Sequence, residues 1–334
     1  MRRIRIGSSG VEASAMTLGT WEMGGGTAWG GWGTRSEAEY IRVLHAAPEL
    51  GVDFIDTAPV YGTGYSEELV GKALAGRRSR YVLSTKCGIH WRDADGVREY
   101  ERDGRTAYRN LSARSIRLDL EDSLRRLKTD YVDLYYTHRQ SDLTPVEETM
   151  GELLRMKSEG KIRAIGISRS TPAHLEAYRR IGPVDAVQEE FNLLERDFGK
   201  AYLPLCEKAG VLAHCYGSLA RGLLTGRIGA DHVSPGGSAQ NSVWFRPELR
   251  ADILAMLESF RTYADSIGCS LANLATAWQT AQSPAIASVV GIRRMESLVD
   301  SIRAFELRLD PLVIRRMDEA AAAVIEKSAA LAES

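Results

Sequence analysis

Four side chains suited to proton transfer stand at or just past the ends of short apolar runs. Asp56 ends "DFID" (53–56), and Tyr61 follows five residues later in "APVYGTGYSEE" (58–68). Lys86 ends "YVLSTK" (81–86), and His138 ends "YVDLYYTH" (131–138). A single lysine or histidine at a strand end is usually a solvated rim residue. An Asp, Tyr, Lys and His gathered on neighbouring strand ends is a different matter, because together they suit protonation of a carbonyl oxygen. A free phenol has a pKa near about 10 and gives up its proton reluctantly at neutral pH. A neighbouring ammonium stabilises the phenolate, so Lys86 is expected to draw Tyr61 toward the working range, with Asp56 as the lysine's counter-charge. His138 then orients the substrate oxygen or shares its proton. Two other uses of such residues stay open at this level. Asp and His can ligate a metal, although no further His or Glu stands at ligand spacing. Lys86 can form a Schiff base in a barrel lyase or isomerase.

The elements that must position these residues are legible as an alternation. Short β-branched runs at 15–20, 53–58, 81–86, 131–138, 163–168, 186–191, 211–216 and 286–292 are separated by stretches with helical spacing. Ser36 is placed to cap a helix over 36–50. The stretch 112–127 sets Ile116, Leu118, Leu120, Leu124 and Leu127 mostly on one face. Pro145 and Gly160 suit the first turn and the end of a helix over 145–160. Eight strand–helix units with no Gly-rich phosphate fingerprint after the first strand predict a closed (β/α)8 TIM barrel rather than a doubly wound sheet. A hairpin over 1–14 is expected to plug its bottom, and a helical extension follows from 310. Long loops are expected at 87–111, which is densely charged, and at 217–249. All 334 residues read as one domain.

Composition excludes several classes. A net charge of −1 advertises no nucleic-acid or acidic-membrane surface, and no run approaches the length of a membrane helix. "MRRIRIGSSGVEASAM" lacks an apolar h-region, so no secretory leader is expected. Four scattered cysteines without a CxxC pair suit free thiols and a cytoplasmic location. The expected partner is a small-molecule carbonyl compound, and nothing in the sequence specifies an oligomeric state.

From "TLGTW" (17–21) to "GIRRMESLVDSI" (291–302) the chain resembles the aldo-keto reductases. The matches are "DTAPVYGTGYSEELVGKAL" (56–74), "STK" (84–86), "SLRRLKTDYVDLYYTH" (123–138), "GKIRAIGIS" (160–168), "VQEEFNLLERD" (187–197) and "LARGLLTGR" (219–227). The resemblance implies hydride transfer from NADPH to aldehydes and ketones without a metal. Tyr61 would be the general acid, Lys86 and Asp56 would tune it, and His138 would position the carbonyl. It also implies a cofactor site. Tyr216 would stack on the nicotinamide, while Ser168 and Gln188 hold its carboxamide. Gly19, Thr20, Trp21 and Asp56 would also bind the cofactor. Gly217 and Ser218 would also touch the cofactor, and Leu219, Gly222 and Arg227 would wrap the pyrophosphate. Arg293 and Arg294, opening a helix after Gly291, would seat a 2′-phosphate. Ser297 and Ser301 stand where many members have Gln and Asn on the adenine. Arg169 departs from the usual Asn and is similar to the potassium-channel β subunits, a branch of the family, so a cofactor-binding regulatory subunit is the competing reading.

The substrate site is expected among the loop aromatics Trp29, Trp32, His90, Trp91 and Trp244, together with Tyr61 and His138. The charged residues from Arg92 to Arg105 are expected to form either a solvated lid or contacts to a polar substrate such as a sugar.

Overall fold

Every one of the eight apolar runs becomes a strand, and the hairpin and a small extra sheet bring the strands to thirteen among the described residues. The computed structural model describes residues 1–24, 36–102, 104–229 and 242–332. In chain order the strands are β1 (Arg3–Arg5), β2 (Glu12–Ser14), β3 (Met16–Gly19), β4 (Phe54–Asp56), β5 (Val82–Cys87), β6 (Ile89–His90) and β7 (Val97–Arg102). They continue with β8 (Arg105–Arg109), β9 (Val132–Thr137), β10 (Ile162–Ser168), β11 (Ala186–Glu190), β12 (Leu212–Tyr216) and β13 (Ile286–Gly291). A closed barrel runs β3-β4-β5-β9-β10-β11-β12-β13, and β13 returns to β3 with Gly291 opposite Gly19. All its ladders are parallel. Because helices cover the outside and side chains fill the inside, barrel strands such as β9 are buried along their whole length.

The covering helices follow from local chemistry. Ser36 caps Glu37–Glu49 in a reciprocal arrangement with Glu39. The helix Ala113–Leu127, capped by Ser112, buries Ile116, Leu120, Leu124 and Leu127. Leu118, expected on the same face, is 38% exposed. Pro145 sits just outside Val146–Ser158 as its N-cap residue.

The barrel interior is a packed core. A Cβ at Gly166 would come within 2.3 Å of the Tyr136 ring, so glycine there gives the ring its room. Tyr136 and Phe54 in turn stack on His214. The β1–β2 hairpin closes the bottom: Ile4, Ile6, Ala13 and Ala15 pack with Phe54, Leu134, Ala164, Ala186, Leu212 and Ala287 near the strand starts. The helix Pro311–Ala332 continues the chain past the barrel and pins itself through Asp318, which accepts from Arg196 (2.7 Å) and from the Trp278 indole (3.1 Å).

Two expectations are corrected. The stretch 87–111 is not merely a loop, because β6, β8 and β7 make a three-stranded antiparallel sheet over it. Within 217–249, a helix already begins at Pro247, and Ala220–Thr225 and Val243–Phe245 form short 3-10 turns. Among the described residues, no helix is long and apolar enough to cross a membrane.

Candidate active site

Parallel closure carries every strand C-terminus to one rim, where side chains far apart in sequence meet. Asp56 ends β4, and Lys86 is the penultimate residue of β5. His138 follows β9 and is tied back to β5 by its backbone N–H to Cys87 O (2.9 Å). Tyr61 rides a tight turn in which Gly62, Thr63 and Gly64 all have positive φ. Gly62 is there for close approach as well, since a Cβ would lie 1.8 Å from the Gly24 carbonyl oxygen.

The Lys86 ammonium is the hub. Its Nζ donates to Asp56 Oδ2 at 2.7 Å, Thr57 O at 2.9 Å and the Tyr61 hydroxyl at 3.3 Å. Lys86 is 1% exposed and Asp56 2%. Asp56 uses its other oxygen to accept from Ser84 Oγ (2.7 Å) and Gln188 Nε2 (3.1 Å). Burial would raise the Asp56 carboxyl, but Lys86, His214 and the Ser84 hydrogen bond together outweigh it and hold the group below its ordinary value. Burial would likewise lower the Lys86 ammonium, and Asp56 followed by Tyr61 reverses that. The pair is therefore ionised, and an ammonium with all three protons committed is poorly suited to Schiff-base attack.

Tyr61 departs from the expectation that Lys86 would draw its pKa down. Burial pushes the phenol up, Lys86 offsets only part of this, and the net direction is upward. The phenol thus stays protonated at neutral pH. Because Lys86 donates to the phenol oxygen, the Tyr61 O–H is free to donate elsewhere. The His138 ring stands edge-on to Tyr61, with centroids 6.1 Å apart. Burial, then Lys86, Arg169 and Arg139, hold His138 well below the usual imidazole value, so it is neutral.

Several participants were not singled out in the sequence. His214, midway along β12, links the tetrad's floor to the core. Its Nδ1 faces the donors Tyr136 OH (2.8 Å) and Gln188 Nε2 (3.0 Å), and its Nε2 lies 2.9 Å from Thr17 Oγ1. That set makes Nδ1 the acceptor and Nε2 the donor. Burial lowers its pKa to about 4. A histidine inside an apolar run was the available signal. Glu99 on β7 is one of the charged residues expected to form a lid or substrate contacts. It pairs with Arg139, next to His138, and with Arg109 Nε (3.4 Å), while Arg109 also donates to Gln140 O (2.5 Å). Gln140 in turn donates to Ser168 O (3.0 Å). The small sheet is thereby latched to the rim, and its Ile89, Ala107 and Tyr100 pack with Ala58, Val60 and Tyr61.

The other expected residues divide. Ser168 ends β10, with Arg169 directly after it, and Tyr216 ends β12 on the same rim. Ser168 Oγ donates to Gln188 O (2.8 Å). Arg169 adopts a left-handed φ of 45°. Burial would lower its guanidinium, but Tyr216 and Tyr61 outweigh that and raise it. Burial pushes the Tyr216 phenol up to about 12 against the pull of Arg169. Gln188 turns its Nε2 into the barrel, and buried Thr20 donates to Asp56 O (3.0 Å). After β12, Gly217 has φ 73°, and the residues past Leu219 make a turn of three consecutive positive φ values: Ala220 46°, Arg221 56° and Gly222 98°. The turn closes on itself through Ala220 N–H to Gly217 O (2.8 Å) and Gly222 N–H to Leu219 O (2.9 Å). Ser218, just before this turn, is buried, and Arg227, after it, is exposed. Across the rim, Trp21 opens a 3-10 turn, and Glu22 beside it lies against Arg293 (3.1 Å). Arg294 Nε donates to Ser297 Oγ (3.0 Å) at the start of the helix Met295–Ala304, which also carries half-buried Ser301.

Among the expected substrate aromatics, Trp91 packs with Tyr61 and Tyr100 against Ala58, Val60, Ile89 and Ala107. His90 and Trp91 line a small cavity with Pro59, Arg92, Asp119, Asp122 and Arg126, on the side facing Ala113–Leu127. Trp244 is buried with its indole N–H on Glu195 (2.6 Å). Trp29 and Trp32 lie outside the described residues.

A parallel barrel whose strand ends converge on this hub is a fold with its chemistry at one rim. Residues 15–322 match the model of the Aldo/keto reductase family, and the chain belongs to that family. It is 38% identical over 327 residues to the NADH-specific methylglyoxal reductase of Escherichia coli (strain K12), covering 96% of this chain and 99% of that one. Among solved structures, it is similar to the glycerol dehydrogenase AKR11B4 from Gluconobacter oxydans (TM-score 0.86, 34% identity, 97% of this chain and 96% of that one). It is also similar to an aldo/keto reductase from Klebsiella pneumoniae in complex with NADP and acetate (TM-score 0.70, 25% identity, 96% and 95%). Aldo/keto reductases are oxidoreductases that use nicotinamide cofactors, and the relatives support carbonyl reduction.

Proposed function

We propose that the chain reduces a small aldehyde or ketone to an alcohol, with Tyr61 as the general acid. The observation that carries this reading is the Lys86 ammonium held between Asp56 Oδ2 (2.7 Å) and the Tyr61 oxygen (3.3 Å). When bound, the nicotinamide dinucleotide supplies the hydride. Everything else falls to the chain. Tyr61 keeps its proton at working pH and donates it to the carbonyl oxygen as that oxygen gains charge. Lys86, fixed by Asp56, stabilises the phenolate that results. Neutral His138 holds the carbonyl oxygen from the other side, and the Tyr100 side of the small sheet excludes water.

The rim fits a dinucleotide. A half-buried aromatic (Tyr216) and a hydroxyl (Ser168) end rim strands, a turn of positive-φ residues follows Tyr216, and two arginines follow β13. Arg293 and Arg294 argue for NADPH, as does the Klebsiella pneumoniae structure with NADP. The relative named for NADH argues the other way. The charged side chains of the small sheet favour its role as a latched lid over direct substrate contact, because Arg92 pairs with Asp119, Arg98 with Glu101 and Glu99 with two arginines. The test is oxidation of NADH and of NADPH by the purified chain across aromatic aldehydes, small dicarbonyls, aldoses and keto-sugars. Turnover with at least one class is expected. Dinucleotide binding without turnover on any carbonyl would instead favour a regulatory, cofactor-sensing subunit, for which Arg169 is the one supporting residue.

A further inference from the structure

The reading of the rim as a dinucleotide site places the adenosine end at Arg293 and Arg294, and a carboxylate already stands there. Glu22 leaves the 3-10 turn that follows β3, and Arg293 follows β13, the strand paired with β3. Glu22 Oε2 lies 3.1 Å from Arg293 Nε, and both side chains are 23% exposed, so water and ligand can reach the pair from one side. Gly291 makes the room: a Cβ there would lie 2.9 Å from Glu22 Oε1 and 3.0 Å from its Cδ. The second arginine is partly spent on the helix itself, its Nε donating to Ser297 Oγ (3.0 Å).

We propose that Glu22 sets the dinucleotide preference, turning the Arg293 end of the site away from a 2′-phosphate and toward the free ribose diol of NADH. The chemistry is that of complementary charge and hydrogen bonding. A carboxylate accepts from two vicinal hydroxyls and so recognises an unphosphorylated ribose. A 2′-phosphate carries close to two negative charges and has mainly acceptor oxygens, so it meets Glu22 as a like charge with nothing to donate. It must also compete with Glu22 for Arg293. Burial pushes the Glu22 carboxyl up and Arg293 pulls it back, in keeping with an ion pair that is only partly solvated.

This inference rests on the proposed dinucleotide site, and its test separates the two. Calorimetric titration of the whole chain with ADP-ribose and with 2′-phospho-ADP-ribose reads the adenosine end alone, without turnover. The unmodified chain is expected to bind ADP-ribose at least tenfold more tightly. Glu22→Gln, nearly isosteric, is expected to tighten the phosphorylated ligand tenfold or more while changing ADP-ribose only a few-fold. Gly291→Ala, which pushes the carboxylate off its seat without altering charge, is expected to narrow the same ratio. Tighter binding of the phosphorylated ligand by the unmodified chain, or an equal shift of both ligands in Glu22→Gln, would overturn the inference and leave the reductase reading standing. Failure of both ligands, and of NADH and NADPH, to bind would overturn both.

Discussion

Lys86 shows how one buried charge is made usable. Its three protons go to a carboxylate, a carbonyl and a phenol, so the ammonium keeps its charge at 1% exposure and the phenol keeps its own proton for donation. The directions of the pKa shifts then fix the sign of the pH dependence. Tyr61 stands above its ordinary value and must be protonated to act, so activity in the reductive direction is lost on the alkaline side. His138 stands well below its ordinary value, so it is already neutral at pH 6.5 and does not change charge there. A profile of kcat/KM against pH is therefore expected to run flat through pH 6–7 and to fall only at high pH. A break of one proton near pH 6.5 that vanishes in His138→Asn would contradict the neutral imidazole.

Among the elements, the β6–β8 sheet is the one that most changes the picture of the site. Its strands are short, and in "VREYER" the few apolar members are separated by pairs of charged residues rather than alternating with them, so in sequence it looks like a long polar loop. In the fold those few apolar residues cover Val60 and Tyr61, and Glu99 binds the sheet to the His138 segment through Arg139 and Arg109. Glu99→Gln is expected to raise KM several-fold with a smaller change in kcat, and to speed hydrogen exchange across 97–109. Unchanged exchange there would show that the latch does not hold the sheet. The barrel strands were legible because both their faces are buried, which leaves continuous β-branched runs. The tetrad was legible because its members end those runs. The burial of Trp244, with its indole on Glu195, was not, since composition gives the size of an aromatic ring but not its direction. The direction of the Tyr61 shift was not legible either, because burial, which outweighs Lys86, depends on packing across the whole rim.

At the scale of the whole molecule, the barrel separates stability from chemistry along its axis. The hairpin end carries apolar packing, with Ile6 fully buried in a cluster that includes Phe54, Leu134 and Leu212, and the opposite end carries the ionised hub. Ile6→Ala is expected to cost about 2–5 kcal/mol in denaturant unfolding while leaving KM for substrate unchanged; a selective loss of substrate affinity with unchanged stability would contradict that division. The central claim is that Tyr61 supplies the proton, and the most direct measurement is turnover of the best carbonyl substrate by Tyr61→Phe beside the unmodified chain, with dinucleotide affinity titrated on both. The account predicts that turnover falls by roughly 10²–10⁴-fold or more while dinucleotide affinity stays within a few-fold. Retention of most of the turnover, with the dinucleotide still bound, would contradict it.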